Sequence, residues 1–413
     1  MNIVLINHYA GSRLHGMEFR PYYLAREWVR SGHKVTILAA SFSHVRARQP
    51  APGIGRWWLS SREEIDGIGY RWYRTPSYAG NGLGRVANIA AFLSAVRLRA
   101  RTLARELHPD VVIASSTYPM DIWVARRVAR TAGARLVFEV HDLWPLSPIE
   151  LGGMSPRHPF IRLCQAAEDA AYAHADVVVS MLPKVAQYMS DHGLDPGRLA
   201  IVPNGISPDE WQGPMAPLDA PLARWLAEKR DAGFCVVGYA GSHGVPNALG
   251  ILVEAAAKLR AEPFAFVLVG DGMEKRGLAA RVAELRLDNV AMFAPIPKVQ
   301  VRGFLAALDI AYIGWNRVPI YRFGIAPNKL MDYMMAGCPV LHSVEAGNDP
   351  VAEAGCGLTV EPESADAVVR GLRQLAAVDR EQQAAMGRRG REFVLANHSY
   401  PVLARRFIDA IPA

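Results

Sequence analysis

Cysteine is scarce: Cys164, Cys235, Cys338 and Cys356 stand far apart in 413 residues, with no CxxC pair and no histidine cluster beside them. That argues against a zinc site or a disulfide framework, and reduced, mostly buried thiols are expected. No apolar run is long enough to cross a bilayer. The start, MNIVLINHYA, has no basic stretch before its apolar run, and that run is too short for the apolar centre of a signal peptide. It reads as a buried strand, and a cytoplasmic protein is expected. Acidic residues are fewer than basic ones, 39 against 46, which gives a net charge of +7 and a pI near 9.3. This excess favours nucleic acid, a membrane surface or a phosphorylated substrate as partner. Zinc-finger spacing, an RNP-like aromatic motif and a basic low-complexity tail are missing, which argues against nucleic acid.

What is present is hydrophobic, at 51%, enough to bury the cores of two or more domains. Short apolar strands alternate with amphipathic helices from end to end, the pattern of parallel sheets covered by helices. A first round places strands at 3–7, 35–39, 111–114, 136–140, 177–180 and 200–202, with a glycine-containing loop at 11–16 and a helix to about Ser31. The segment PNGISPDEWQGPMAPLDAP, residues 203–221, carries five prolines and two glycines and reads as an interdomain linker. A second round places strands at 235–239, 265–269, 290–293, 310–313 and 339–342. The expected fold class is α/β: two doubly wound Rossmann-like domains facing a cleft at the carboxyl ends of their strands, where ligands bind.

Three turns of the second half suit an anion. VVGYAGSHGVPNALG sets Gly238, Gly241 and Gly244 between a strand and a helix, and LVGDGMEKRGL repeats the arrangement at Gly270, Asp271 and Gly272. Ordinary βα turns account for both at least as well. The third stretch, FGIAPNKLMDYMMAGCPVL (323–341), reads as a helix opened by Pro327, apolar along Leu330, Met331, Met334 and Met335, and closed by Gly337 and Pro339. Lys329 then stands in its first turn. The helix dipole and unpaired N–H groups already make that place positive, so a cation is unfavourable there unless an anion is shared. Asp332 follows one turn later; a surface i,i+3 pair is the alternative. In the first half, the strand ending at Val140 runs into HDLWP, which sets His141 and Asp142 at a strand's carboxyl end, although a capping or core pair reads the same way. His8, Gly11, Gly16, Glu18 and Arg20 cluster around the first helix start.

In order along the chain, these pieces resemble the retaining family 4 glycosyltransferases of the two-Rossmann GT-B fold. The matching stretches are the glycine loop before GMEFRPYYLAREWVRSGHKVTIL, VHDLWP, IVPNGI, YAGSHG, LVGDG, and PNKLMDYMMAGCPVL followed by GCGLTVEP. NHYAGS, GMEFRPYYLAREW and YAGSHGVPNAL are most similar to enzymes of bacterial surface-polysaccharide assembly (O-antigen, capsule), including N-acetylfucosaminyltransferase-like members. The resemblance implies a nucleotide-sugar donor on the second domain, 204–392, and an acceptor on the first, 1–203. It also implies that a last helix, 393–413, packs back on the first domain. No metal is implied, in agreement with the lack of a DxD triplet, and no cofactor beyond the UDP-sugar substrate.

The donor-binding set carried over by resemblance is Gly16, Gly241, Ser242, Gly270, Asp271, Ile296, Asn328, Lys329, Leu330 and Asp332, with His141 at the anomeric centre. Of two family glutamates eight residues apart, the second falls on Asp332 and the first on Gly324. Two family cations that clamp the diphosphate fall on Ser242 and Asn247. Lys329 is the replacement these losses point to, and the donor diphosphate is the anion that its position lacks. The expected function is transfer of an N-acetylated hexosamine from a UDP-sugar to a lipid-linked or polysaccharide acceptor. A UDP-sugar 2-epimerase-like enzyme and a non-catalytic nucleotide-sugar-binding protein are the rivals. Finally, Arg97, Arg101 and Arg105 form a row beside the apolar stripe Ile89, Phe92, Val96, Ala100, Leu103 and Leu107, with Arg56, Trp57, Trp58 and Leu59 in the preceding loop. Together they fit docking on an anionic membrane surface from the cytoplasmic side.

Overall fold

Strands apolar on both faces demand helices above and below them, and the inner strands of both sheets of this protein are of that kind. The computed structural model describes residues 1–16, 19–44, 46–51, 56, 58–80 and 82–412. Glu18 and Trp57, singled out above, lie outside the described residues. The chain divides into two units, Met1–Asn204 with Tyr400–Ala413, and Gly205–Ser399.

The first unit contains β1 (Asn2–Ile6), β2 (Lys34–Ala40), β3 (Ser60–Ile65), β4 (Ile68–Tyr73), β5 (Val111–Ala114), β6 (Arg135–Val140), β7 (Val177–Ser180) and β8 (Leu199–Ile201). They form one sheet in the order β3-β4-β2-β1-β5-β6-β7-β8. Only β3 runs antiparallel, paired with β4. Neither of these two was expected from the sequence. Their turn, Asp66-Gly67, has positive φ at both residues (52° and 77°), the two-residue hairpin geometry that matches strand twist.

The second unit contains β9 (Cys235–Ala240), β10 (Phe264–Val269), β11 (Val290–Phe293), β12 (Ile310–Gly314), β13 (Val340–Ser343) and β14 (Gly357–Val360). All are parallel, in the order β11-β10-β9-β12-β13-β14. The strand order reverses between β9 and β12, and ligands of open α/β sheets bind at the carboxyl ends of the strands at such a point.

Two segments differ from expectation. The proline-rich stretch 203–221 carries the boundary between the units, after Asn204, but from Gly205 on it is built into the second unit, because Ile206, Trp211 and Leu218 join its core and Pro208–Trp211 form a turn of 3₁₀ helix. At the other end, 393–413 is not one helix. Its first residues finish the helix Arg380–Asn397, which belongs to the second unit. Gly387 of that helix approaches so closely that a Cβ there would lie 2.0 Å from the Gly337 carbonyl, and Val394 is buried in the second core. The chain returns only at the helix Tyr400–Asp409. Tyr400 stacks on Tyr23 with ring centroids 4.8 Å apart, and Trp28 Nε1 donates to the Ala404 carbonyl at 3.0 Å. Just before this return, Ile206 N donates to the His398 carbonyl at 2.8 Å, and Ile206 forms a parallel bridge with Ser399.

Candidate functional site

At the carboxyl ends of β9, β10 and β12 the second unit opens into a cleft of about 650 Å³, within the range of small-molecule sites. The turn after β9 contributes Gly241, Ser242 and Asn247, the turn after β10 contributes Gly270 and Asp271, and the helix Asn328–Ala336 contributes Asn328, Lys329, Asp332 and Tyr333. Pro295, Ile296 and Trp315 complete the lining. The glycines are needed for space: a Cβ on Gly270 would lie 1.8 Å from the Gly241 carbonyl oxygen.

Pro327 caps the helix Asn328–Ala336 and offers no side-chain acceptor, so Lys329 lies in a first turn whose N–H groups lack a cap. Its ammonium donates to Tyr239 Oη at 2.7 Å and to Asn247 Oδ1, and lies 4.7 Å from the centre of the Tyr239 ring. Tyr239 Oη in turn donates to the Ser242 carbonyl at 2.7 Å, and Asn247 Nδ2 donates to the same oxygen at 3.0 Å. Position 247, where the resemblance places a phosphate-clamping cation, therefore holds an amide that orients Lys329 instead. Burial pulls the Lys329 pKa down to about 8. The same cause pushes Asp332 up to about 7, with Lys298 pulling it down and Glu210 pushing it further up. Lys298 and Glu210 pair with each other at 2.6 Å. No ion pair joins Lys329 to Asp332 among the described residues.

Gly324 adopts φ 99° and ψ 178°, a conformation that is essentially glycine's alone. The loss of the first family glutamate is thus fixed in the backbone. Asn348 grips the next peptide from both sides, accepting from Ile325 N at 2.7 Å and donating to Ile325 O at 3.1 Å.

Gly16 and His141 belong to the first unit. Gly16 turns the loop at φ 83° and returns its N–H to Ser12 O at 2.8 Å. His141 is buried, its Nε2 3.0 Å from Ser115 Oγ and 3.3 Å from Glu139 Oε2. Ser115 Oγ donates to Glu139 at 2.6 Å, and Arg20 Nε donates to the same carboxylate at 2.9 Å. Burial alone would raise the pKa of Glu139, but Arg20, His141 and Ser115 hold it down at about 2. Nearby, Asp121 Oδ2 accepts from Ser116 N at 2.8 Å, whereas its buried Oδ1 has no partner, and burial raises this carboxyl to about 7. Elsewhere in the first unit, Glu168, Asp169 and His192 place ligand atoms within 4.8 Å of one another. The Gln165 amide already donates to both carboxylates there, at 3.0 and 2.8 Å.

Of the donor-binding residues chosen from sequence in the second unit, the structure gathers all but one around the cleft. The exception is Leu330, whose side chain is fully buried in the core; only its backbone N–H belongs to the open first turn. Sequence reasoning missed Tyr239, Tyr333 and Trp315. Tyr333 accepts from Ala240 N at 3.0 Å and so locks the helix against the end of β9.

Residues 15–205 match the Glycosyl transferase 4-like domain, and residues 235–377 match the Glycosyl transferases group 1 domain. The putative colanic acid biosynthesis glycosyl transferase WcaI of Escherichia coli (strain K12) is 25% identical over 404 residues, spanning 92% of this chain and 95% of that protein. The fold is similar to that of sucrose-phosphate synthase from Thermosynechococcus elongatus, with TM-score 0.71 and 17% identity over 98% of this chain and 97% of that one. It is also similar to Anabaena Alr3699/HepE, solved in complex with UDP and glucose, with TM-score 0.66 and 15% identity over 99% and 98%. With both domains matched in this order on two α/β sheets, the chain belongs to the family 4 glycosyltransferases of the GT-B fold.

Proposed function

We propose that this glycosyltransferase is a retaining, metal-independent enzyme that moves an N-acetylated hexosamine from a UDP-sugar to a lipid-linked or polysaccharide acceptor in bacterial surface-glycan assembly. The observation that carries the reading is Lys329, held by Tyr239 and Asn247 at the uncapped start of its helix, in a cleft walled by two glycine turns. A nucleoside diphosphate supplies the negative charge that this arrangement lacks. The colanic acid name of the relative and the UDP in a solved neighbour support the same direction.

In the proposed chemistry, the bond between the anomeric carbon and the phosphate oxygen breaks as the acceptor hydroxyl adds to the same face. The departing phosphate takes the hydroxyl proton. Lys329 and the N–H groups of residues 328–330 stabilise the leaving diphosphate, where negative charge grows. Asp332 would hold the ribose hydroxyls, and His141 would line the anomeric centre.

The enzyme would work at the cytoplasmic face of an anionic membrane as a peripheral protein. Arg97, Arg101 and Arg105 are exposed on the helix Leu83–Leu107, as is Leu98, and Leu83 at its start is 87% exposed. Leu59 is exposed just before β3, where Arg56 stands over the Trp58 ring at 5.1 Å; the sequence suggests a loop next to the helix, but the β3–β4 hairpin lies between them. No helix among the described residues is long and apolar enough to cross a membrane. The test is thermal stabilisation by a panel of nucleotide-sugars, followed by mass spectrometry of products on lipid-linked acceptors. A UDP-N-acetylhexosamine giving a product that keeps the donor's anomeric configuration, with activity surviving EDTA, is expected. Inversion, or complete dependence on a divalent ion, would overturn the reading.

A further inference from the structure

Between the two glycine turns of the second unit sits an imidazole that none of the above uses. His243 is fully buried, and neither Nδ1 nor Nε2 has a hydrogen-bond partner among the described residues. Buried polar side chains are nearly always paired, so a ring with both nitrogens unsatisfied calls for a reason. Its backbone is pinned on both sides: its N donates to the Asp271 carbonyl at 2.8 Å, and its carbonyl accepts from Glu274 N at 2.9 Å. The ring is thereby set against the turns that carry Gly241, Ser242 and Gly270, all of which line the cleft. Nε2 is an atom that a Cβ on Gly270 would meet at 3.1 Å, so the bare backbone of Gly270 is what lets the ring come this close.

The groups facing the ring are Lys275 from the helix Lys275–Glu284, Asp271 from the turn after β10, Lys329 from the helix Asn328–Ala336, and the Tyr239 ring, whose centre is 6.0 Å away. Burial lowers the pKa of His243; Lys275 and Lys329 lower it further, and Asp271 opposes them. The ring is thus neutral in the free protein, with one N–H to donate and one lone pair to offer.

We propose that His243 is a further contact for the donor diphosphate, its ring N–H turning onto a phosphate oxygen by rotation of the side chain while its pinned backbone stays in place. The proposal rests on the reading of this cleft as a nucleoside diphosphate-sugar site. It gives one residue two effects of opposite sign: the unpaired ring weakens the free fold, and its pairing strengthens the complex. A histidine that merely fills space would instead stabilise the free fold and leave binding alone.

The test uses the full chain, with UDP and uridine as calorimetric probes and the melting temperature of the ligand-free protein as a third readout. His243→Leu is expected to bind UDP about tenfold more weakly, the effect of one lost hydrogen bond. Its uridine affinity should be unchanged and its melting temperature no lower than that of the wild type. His243→Gln, which keeps an N–H donor, should bind UDP more tightly than the leucine variant. Should leucine prevent folding, His243→Met, with its adaptable side chain, is read by the same outcomes. Unchanged UDP affinity in the apolar variant overturns the proposal, as does an equal loss for UDP and uridine together with a lower melting temperature. A wild type that binds no UDP would instead overturn the nucleotide reading of the cleft, and the role of His243 with it.

Discussion

Two buried clusters, one in each unit, handle their ionisable groups in opposite ways. Around β6 in the first unit, Glu139 is fully enclosed yet ionised, because Arg20, Ser115 and His141 all reach it and Arg20 also caps the Val202 and Pro203 carbonyls. In the second unit, Lys329 and Asp332 line an open cleft, and burial drives each toward its neutral form, to about 8 and about 7. A buried charge that already has its partners is part of the architecture. One whose pKa is displaced toward neutrality is poised to gain from a ligand that supplies what is missing. Asp121 shows that the contrast belongs to these clusters rather than to whole units, since it too is buried with one oxygen unpaired.

Removing one partner from the closed cluster should have the largest effect. Arg20→Met leaves Glu139 buried without its cation and is expected to cost about 3–5 kcal/mol in urea unfolding at pH 7. Adding Glu139→Gln should recover part of that loss. Because the folded-state pKa of Glu139 lies below that of an unfolded glutamate, its contribution is present in full above the unfolded value and is lost as the pH falls toward about 2. The wild type should therefore lose stability over that acid window more steeply than Glu139→Gln.

The unpaired cations on the outside of the first unit come next. No carboxylate pairs with Arg97, Arg101 or Arg105 among the described residues, whereas the neighbouring Arg99 is engaged by Glu106 at 3.4 Å. Each basic group near an anionic bilayer contributes about 1 kcal/mol. Replacing the three with glutamate should abolish cosedimentation with anionic vesicles at low salt and spare UDP affinity; equal sedimentation of both proteins would leave an ordinary solvated face.

In the cleft, Lys329→Ala should weaken UDP roughly ten- to a hundredfold, as a lost charge-assisted contact of about 1.5–3 kcal/mol implies. Since Lys329 gives up its proton near pH 8 in the free protein, UDP affinity should decline as the pH rises above about 8, and this decline should vanish in the variant. Calorimetry between pH 7 and 9 checks both. The smallest effect is expected at Asp332. Asp332→Asn should weaken UDP more than free pyrophosphate, and an equal loss for both ligands would place the carboxylate on the phosphates or on the fold. Because its folded-state pKa is raised from the ordinary 3.8 to about 7, its cost to folding sets in above about pH 4 and is complete above about pH 7. The melting temperature of Asp332→Asn should therefore exceed that of the wild type at pH 8 and equal it at pH 4.

Local patterns made much of this legible. Val111–Ala114, Val177–Ser180 and Val290–Phe293 are short apolar runs bounded by turns, and they fold as read. β3, SSREEI, escaped because it is a polar edge strand, although the Asp66-Gly67 turn beside it was a usable hairpin signal. The prolines of 203–221 hid Trp211, whose burial ties that stretch to a core. The glycine turns and the helix of Lys329 could be read because each is contiguous. The environment of Lys329 could not be, because Tyr239 and Asn247 lie 90 and 82 residues away and meet it only through the parallel sheet. For the same reason, the resemblance located a lost clamp at Asn247 but not the amide's new task.

The pairing of Ile206 with His398 and Ser399 joins the entering and leaving segments of the second unit to each other. Seen as topology, residues 205–399 are an insertion with adjoining ends, spliced into a host whose last helix is completed only after the guest has been made. An insertion of this shape can be exchanged for another without stretching the host chain. On the proposed reading, in which the donor sits on the second unit, a new donor specificity is acquired by replacing one continuous stretch of gene, with the first unit left intact.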